Sequence, residues 1–384
     1  MVEWTPSKKW NPFNSYKLLA QVYRWRLIER GKPIPQPALV TVDPINACNL
    51  SCVWCNASYI LKRRQQKIKK KTLIELAGFL ARWKGSPEWP PGVEGVCIAG
   101  GGEPLLHPAI GDFIEACVSR GIEVGIVTNG THIDKFLEPL SMCTWVGVSV
   151  DAGSEETFKH LKGRNLFTKV CDNIAQLNEY IHRKPCRLST DQPGYAVSYK
   201  FLLYNSNIHD VLPAVKKAKK IGCRNFHLRP AGISWDKVGS ATERIFDPGV
   251  RKELAVQLEK ARTLEDDSFG VYGITHKFDP VFNAANIFSA CHAVFMTAVF
   301  MPPRDPDKER FCFGLCCDRR GDMRLESKEN MADFTQVEQF WGSDQHWKIY
   351  DGINIKECPR CTYQPHNQIF EHVIQQDSMT YKFI

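Results

Sequence analysis

The chain has 384 residues, 43% of them hydrophobic and 24% charged, with a formal net charge of +8. These proportions fit a globular protein and exclude a disordered chain, a collagen and a coiled coil. No uninterrupted apolar run reaches the about 18 residues that a membrane span needs, and residues 1–9 do not form a secretory signal. A cytoplasmic protein is therefore expected, in which 15 cysteines favour metal binding over a disulfide framework.

The first predicted strand, residues 37–43, runs directly into a cysteine-rich loop. Three thiols, Cys48, Cys52 and Cys55, lie on this loop with spacings of four and three residues. A structural zinc ion normally takes four protein ligands, so these thiols would need a fourth from elsewhere. A cubane iron–sulfur cluster held by three thiolates keeps one iron without a protein ligand, and that iron is free to bind a small molecule.

A dense basic run, residues 62–71, follows the cysteine loop. Positive charge of this density can bind phosphate on a small molecule, a carrier protein or RNA, although most charge runs are solvated faces. No aromatic side chains alternate with the basic ones, which argues against single-stranded nucleic acid as a partner. The run and the net charge are consistent with a small-molecule substrate that is anionic or phosphorylated.

Strands and helices alternate beyond this run. Further strands are predicted at 94–99, 121–128, 144–150, 195–204 and 223–229. Helices are predicted at 72–83, 109–120, 133–140, 167–181 and 208–221. This alternation predicts an α/β fold whose parallel strands are joined by helical crossovers.

The predicted strands end in residues that suit a binding site, as expected at the carboxyl edge of a parallel sheet. The second strand runs into a glycine run and a carboxylate, residues 100–104, where backbone can approach a ligand closely. Asn129 follows the third strand, and Ser149 and Asp151 share the small, polar face of the fourth. Asn225, His227 and Arg229 share one face of the last strand, and either the site or the helices can lie on that side.

The cysteine spacing, with Trp54 before the third thiol, together with the glycine run one strand later, resembles the radical S-adenosylmethionine (SAM) enzymes. The resemblance implies a partial (β/α)6 TIM-like barrel and a [4Fe–4S] cluster held by Cys48, Cys52 and Cys55. It further implies that SAM binds to the open iron.

The resemblance also implies which residues contact SAM. The expected contacts are Gly101, Gly102, Glu103, Pro104, Asn129, Ser149, Asp151 and Arg164. Turn chemistry or a solvated helix end remains an equal alternative for Asn129, Ser149 and Arg164.

Six cysteines return near the end of the chain, namely Cys291, Cys312, Cys316, Cys317, Cys358 and Cys361. This region resembles the SPASM or Twitch extension of radical SAM enzymes, and the shorter, one-cluster Twitch form fits its cysteine count better. The resemblance implies a second, auxiliary [4Fe–4S] cluster on Cys291, Cys316, Cys358 and Cys361. Cys317 or Cys312 in place of Cys316 stays open, and so does a zinc ion on the same thiols.

Four regions follow from these patterns. They are an N-terminal segment at 1–34, the partial barrel at 35–232, a linker with a helix at 233–290, and an auxiliary-cluster region with a C-terminal helix at 291–384. Only 47 residues precede Cys48, which is short for a leader-peptide recognition domain and makes a small molecule the first expectation.

The expected function is reductive cleavage of SAM to a 5′-deoxyadenosyl radical that abstracts hydrogen from a sugar, cyclitol or nucleotide sugar. The net reaction is expected to be an oxidation or epimerisation, and a reductant such as flavodoxin or ferredoxin is implied. For an epimerisation, a thiol would donate hydrogen, and the candidates are Cys97, Cys223, Cys312 and Cys317. A peptide-modifying maturase is the alternative enzyme, and a zinc- or cluster-bearing binding protein is the non-enzymatic one.

Overall fold

The computed structural model of the protein describes residues 15–31, 33–190, 192, 195–231, 248–273, 288–327, 331–358 and 361–375. The strands in these ranges are β1 (Leu39–Val42), β2 (Gly95–Ile98), β3 (Glu123–Thr128), β4 (Trp145–Ser149), β5 (Ala196–Leu203), β6 (Asn225–Pro230), β7 (Gly270–Gly273), β8 (Thr297–Met301) and β9 (Cys312–Gly314). The first six of these strands confirm the six predicted ones.

The α-helices flank this sheet. They are α1 (Val22–Glu29), α2 (Ser58–Leu61), α3 (Lys70–Arg82), α4 (Ile110–Val118), α5 (Leu137–Ser141), α6 (Glu155–Lys162), α7 (Phe167–Arg183), α8 (Val211–Lys220), α9 (Pro248–Arg262), α10 (Thr335–Phe340), α11 (Asp344–Asp351) and α12 (Gln364–Ile369). In the described part of the chain, no helix is long and apolar enough to cross a membrane.

All nine strands belong to one sheet, in the order β7-β6-β5-β4-β3-β2-β1-β8-β9. Every neighbouring pair is parallel except β8 and β9, which are antiparallel. Parallel neighbours require crossover connections, which the helices between β1 and β6 provide. The α/β fold predicted from the sequence is therefore confirmed, and β7, β8 and β9 extend the sheet beyond the six predicted strands.

The two faces of the sheet differ in chemistry. Val40, Val148 and Phe226 have no solvent exposure and belong to the main hydrophobic core, which lies on the face covered by helices. Residues alternate between the two faces along a strand, so Ser149 and His227 lie on the opposite, polar face. By the same alternation, the polar face that carries Ser149 also carries Asn225, His227 and Arg229 and not the helices.

Helix α6 is the main crossover element that the sequence prediction missed. Its sequence, EETFKHLK, is largely charged, and Phe158 and Leu161 are its only buried large apolar side chains. Ser154 caps the helix, because its side chain accepts from the backbone N–H of Thr157 at 3.3 Å. Gly163 ends the helix with a φ of 72°, a left-handed conformation that favours glycine.

Six cysteines lie outside the two cysteine-rich regions, and four of them are core residues. Cys117, Cys143, Cys171 and Cys223 are buried in the main hydrophobic core. Cys186 is partly buried and packs against this core. Cys97 lies on the polar face of β2, in register with Thr41 of β1. Of the thiols considered as hydrogen donors, Cys223 is therefore packed away from the polar face.

Candidate functional site

The cysteine loop follows β1 and rests on the carboxyl end of α6. The backbone N–H groups of Ser51 and Val53 donate to the carbonyl oxygens of Lys162 and Leu161, at 3.0 and 3.1 Å. A Cβ at Gly163 would lie 3.2 Å from Ser51, so the helix end and the loop are in close contact. The missed helix therefore supports the residues that carry the predicted cluster ligands.

The three thiols of this loop lie close enough to interact electrostatically. Burial, with smaller contributions from the neighbouring Glu103, Cys52 and Cys55, raises the pKa of Cys48 to about 11. Burial raises the pKa of Cys52 as well. Because metals bind thiolates, loading this loop would release protons.

Aromatic and amide contacts fix the orientation of the loop. The ring of Trp54 stacks on Tyr204, at the end of β5, with centroids 4.1 Å apart. The side-chain amide of Asn129 donates to Oδ1 of Asn49 at 2.8 Å and lies 3.9 Å from Sγ of Cys48. Asn129 thus contacts the loop, and its side-chain oxygen Oδ1 accepts from the Thr131 hydroxyl at 2.7 Å.

The glycine run packs against both β1 and the cysteine loop. Gly100 has a φ of 110°, and a Cβ there would lie 1.7 Å from Oδ1 of Asp43. A Cβ at Gly102 would lie 2.4 Å from the carbonyl oxygen of Ala47. The backbone N–H of Glu103 donates to that same oxygen at 2.8 Å. Glycine is therefore required for the two loops to meet.

Glu103 is almost fully buried beneath the glycine run. Its carboxylate accepts from the Thr128 hydroxyl at 2.6 Å and from the backbone N–H groups of Asn129 and Leu105 at 2.7 and 3.0 Å. Burial raises the pKa of Glu103, whereas these three donors lower it. The carboxylate ties the glycine run to the end of β3, and Pro104 begins a short 3-10 helix directly after it.

Asp43, one residue beyond β1, connects the glycine run to the C-terminal cysteine region. Its carboxylate accepts from the backbone N–H of Gly101 at 3.1 Å and forms a buried ion pair with Arg320. Arg320 also donates to the carbonyl oxygen of Cys317, and its own carbonyl accepts from the Tyr59 hydroxyl at 2.6 Å. Four segments therefore meet at the Asp43–Arg320 ion pair: the end of β1, the glycine run, helix α2 and the segment after Cys317.

The remaining residues expected to contact SAM have different surroundings. Asp151 is paired with Lys162, and its other carboxylate oxygen accepts from the backbone N–H of Leu202 at 2.7 Å. Ser149 ends β4 on the polar face, in register with Lys200 of β5. Arg164 is exposed and follows the Gly163 turn beside the cysteine loop.

The polar face also carries cationic groups. The Lys200 ammonium lies 4.4 Å from the centre of the Trp145 ring, which suits a cation–π contact. Lys200, Arg229 and Arg320 all interact electrostatically with Cys97 and oppose the rise in its pKa that burial causes. This face can therefore receive a negatively charged molecule.

The four C-terminal thiols chosen from the sequence come together in the structure. Cys361 interacts electrostatically with Cys291, Cys316 and Cys358, and burial raises the pKa of Cys361 well above its ordinary value. The amide of Asn367 donates to Sγ of Cys361 at 3.9 Å.

Arg319 and Asp318 lie next to the same group of thiols. Arg319 donates to Sγ of Cys358 at 3.7 Å. The Asp318 carboxylate accepts from the backbone N–H and the hydroxyl of Thr362, at 2.6 and 2.9 Å. Within the described ranges, no three His, Cys, Asp or Glu side chains are spaced to hold a single metal ion.

The structure separates Cys312 from this group. Cys312 packs with Val299 and Met301, and its thiol donates to Glu309 at 3.4 Å. Cys317 lies beside the group, but its Sγ accepts from the Tyr363 hydroxyl at 3.1 Å and interacts with Cys97 on the polar face. Cys316 is therefore the one of the three that faces Cys291 and Cys361.

Residues 42–192 match the family described as the Radical SAM superfamily. This segment contains the cysteine loop, the glycine run and β2 to β4. The chain contains a radical SAM domain. The α/β sheet that carries this domain has the order and parallel pairing described above.

Curated relatives match over part of their length. A GTP 3',8-cyclase of Chlorobaculum tepidum is 31% identical over 179 residues, which are 46% of this chain and 48% of the relative. The chain spans about half, or less, of the first curated relatives that it matches. These partial matches therefore support the presence of a radical SAM domain in this chain, and they do not indicate its substrate.

Solved structures match over more of the chain. SuiB of Streptococcus suis, bound to S-adenosylmethionine, is 14% identical and has a TM-score of 0.59, covering 91% of this chain and 78% of that one. Native anSMEcpe with bound AdoMet is 16% identical, with a TM-score of 0.54 and coverages of 86% and 89%. These similarities show that the fold, a partial barrel with a further C-terminal region, is shared.

Sequence reasoning missed Asp43, Lys162 and Arg320. Asp43 carried a usable signal, because it is a carboxylate one residue beyond a buried strand that leads into the cysteine loop. Lys162 and Arg320 carried no such signal, since each is a cation in a polar stretch. Their burial depends on partners distant in sequence.

Gly100→Ala should prevent normal packing of the glycine run. The new Cβ would overlap the Asp43 carboxylate, and alanine is strained at a φ of 110°. We expect a lower urea midpoint and reduced SAM binding by calorimetry after anaerobic reconstitution. Gly121→Ala is the control, since its φ is 78° but no atom lies within 4 Å of the added Cβ. Equal losses in the two variants would contradict the overlap.

Arg320→Met should leave the buried Asp43 carboxylate without its cation. Removing one partner of a buried pair costs about 3–5 kcal/mol. Arg183→Met is the control, because Arg183 and its partner Glu179 are 76% and 57% exposed and surface ion pairs contribute about 0–1 kcal/mol. The loss of stability in each variant is measured as the change in the free energy of urea unfolding of the cluster-free protein. A difference between the variants below about 1 kcal/mol would contradict the role given to this pair.

Proposed function

We propose that the protein is a radical SAM enzyme that holds a [4Fe–4S] cluster on Cys48, Cys52 and Cys55 and binds SAM beside the glycine run. The observation that carries this proposal is the packing of the cysteine loop against Gly102 and Glu103, within the segment that matches the superfamily. Three neighbouring thiols with no fourth cysteine on the loop fit a cluster that keeps one iron open.

A reduced cluster with bound SAM supplies the reductive cleavage of SAM to methionine and a 5′-deoxyadenosyl radical, which abstracts hydrogen from the substrate. The residues of this chain would bind SAM and the cluster and orient them toward each other. At Gly101 an added Cβ would meet only the Ile60 side chain and Asp43, at 3.4 Å or more, so the amino group of SAM can approach the Gly101 carbonyl oxygen. The polar face around Ser149 is suited to ribose hydroxyls.

We propose two roles for the residues expected to contact SAM. Gly101, Gly102, Ser149 and Arg164 remain proposed contacts of SAM. Pro104, Glu103, Asn129 and Asp151 are proposed to position the loops, because the three polar ones already have protein partners.

We assign a second [4Fe–4S] cluster to Cys291, Cys316, Cys358 and Cys361. Their mutual electrostatic contacts, together with Asn367 and Arg319 as donors to sulfur, support this assignment. Hydrogen bonds to sulfur are a means by which proteins tune iron–sulfur clusters. The fifteen free thiols and the need for a flavodoxin or ferredoxin as electron donor favour a cytoplasmic location.

The proposed substrate is a small anionic molecule, with a sugar, cyclitol or nucleotide sugar as the first candidates. Lys200 and Arg229 on the polar face support this class, because both place positive charge near the proposed SAM site. Oxidation or epimerisation at an unactivated carbon is the proposed outcome. For an epimerisation, Cys97 and Cys317 are the remaining donor candidates near this face.

A peptide substrate is the second candidate. SuiB bound to its precursor peptide SuiA matches 92% of this chain with a TM-score of 0.57, and anSMEcpe with a bound peptide matches 86% with a TM-score of 0.54. This likeness extends beyond the barrel into the C-terminal region. Stimulation of SAM cleavage by a peptide and not by sugars would favour this candidate.

Cys55→Ala should abolish SAM cleavage. The variant removes one of three cluster ligands, so anaerobic reconstitution followed by dithionite and SAM should yield no 5′-deoxyadenosine by chromatography. Cys143→Ala is the control, because Cys143 is a buried core thiol and its loss affects packing alone. A wild-type protein that forms neither 5′-deoxyadenosine nor methionine would overturn the proposed function.

Cys361→Ala should remove the second cluster and spare the first. We expect about half of the wild-type iron and sulfide, with some uncoupled SAM cleavage but no product. Cys312→Ala should keep the full iron content, since Cys312 lies apart from the four thiols. One zinc ion in place of four irons in the wild type would show that the second site is a zinc site.

A further inference from the structure

We propose that Lys162 is a positioning residue that holds a fixed positive charge next to Cys48 and Cys52 and thereby raises the reduction potential of the cluster on that loop. This inference rests on the proposed function, because it concerns the cluster proposed there. It assigns a task to a buried cation that neither the sequence motifs nor the proposed SAM contacts include.

Lys162 is unusual in being a lysine with almost no solvent contact. Its side chain is 3% exposed, and that of its partner Asp151 is 1% exposed. Lysine is almost never fully buried unless it is paired. The location therefore requires an anion, and the pair lies under the loop that carries the thiols.

Lys162 interacts with the cysteine loop through both its backbone and its side chain. The carbonyl oxygen of Lys162 accepts from the backbone N–H of Ser51 at 3.0 Å, which fixes the loop between Cys48 and Cys52. Its ammonium interacts electrostatically with the sulfurs of Cys52 and Cys48. Backbone and side chain thus place the charge and the thiols in one rigid arrangement.

Asp151 is itself held firmly, so the ammonium cannot turn away from the loop. The Asp151 carboxylate accepts from the backbone N–H of Leu202 at 2.7 Å, and its carbonyl oxygen accepts from the side chain of Asn207 at 2.9 Å. Asp151 has a φ of 61°, the one positive value among the described residues other than glycine. Such a conformation persists only where the surroundings determine it.

The carboxylate does not cancel the effect of the ammonium at the thiols. Cys52 interacts more strongly with Lys162 than with Asp151, and the two effects have opposite sign. Glu103 is a further charge beside this group, since it interacts electrostatically with both Cys48 and Lys162. Reduction adds one negative charge to a cluster, and a buried cation stabilises that charge because the local dielectric constant is low.

The variants separate an electrostatic role from a purely structural one. Lys162→Met removes the charge, Lys162→Arg keeps it, and Asp151→Asn removes the counter-ion while keeping an acceptor for Leu202. Lys159→Met is the matched control, because Lys159 lies on the same helix but is exposed to solvent. An EPR-monitored redox titration of the reconstituted full chain measures the midpoint potential. The signal that changes on adding SAM identifies the N-terminal cluster.

We expect Lys162→Met to disfavour the reduced cluster at least tenfold, a decrease in potential of about 59 mV for one electron. Asp151→Asn should shift the potential upward, Lys162→Arg should stay near the wild type, and Lys159→Met should change it several-fold less than Lys162→Met. If Lys162→Met fails to fold, the upward shift of Asp151→Asn still tests the proposal. Equal potentials for Asp151→Asn and the wild type would overturn it.

Different results would overturn the proposed function and the inference about Lys162. If the wild type binds no more iron than Cys55→Ala does, the cysteine loop holds no cluster and the proposed function is wrong. A wild type that holds the cluster at a potential unchanged in Lys162→Met overturns only the inference about Lys162. Reduced iron content with an unchanged potential would show that Lys162 only supports the fold, which also overturns it.

Discussion

The buried ion pair between Asp43 and Arg320 is the interaction on which the arrangement of the site depends. A carboxylate at the end of a buried strand is costly unless donors surround it, and burial raises the pKa of Asp43 while Arg320 and the Gly101 amide lower it. The pair forces the glycine run, the helix after the cysteine loop and the segment after Cys317 to meet. Gly100 is then required, because any side chain there would occupy the space of the carboxylate.

The cysteine loop is held by contacts that come from both of its flanks. The glycine run meets its start at Ala47, and the end of α6 meets its middle at Ser51. Trp54 stacks on Tyr204, so a third contact fixes the loop near Cys55. A loop that must hold a large inorganic group benefits from rigid support, because site geometry then depends on packed elements and not on the loop itself.

The six central strands and most of their helices were predictable, because β-branched strands and amphipathic helices alternate in this part of the chain. Helix α6 was not, since its sequence is largely charged and buries only two large apolar side chains, Phe158 and Leu161. The cysteine loop and the glycine run were predictable from spacing. The roles of Glu103 and Asp151 were not, because whether a carboxylate faces a ligand or a protein donor depends on residues distant in the chain.

Each of the two groups of thiols lies beside a buried cation that is paired with a carboxylate. Lys162 lies beside the N-terminal group and Arg319 beside the C-terminal group, and each cation is buried with its own carboxylate, Asp151 or Asp322. Arg320 follows Arg319 directly and reaches Asp43, so the backbone that carries one group of thiols also anchors the glycine run. A displacement of the C-terminal group must therefore either break a buried ion pair or move the run. Because breaking such a pair costs about 3–5 kcal/mol, the two sites are expected to move as one unit.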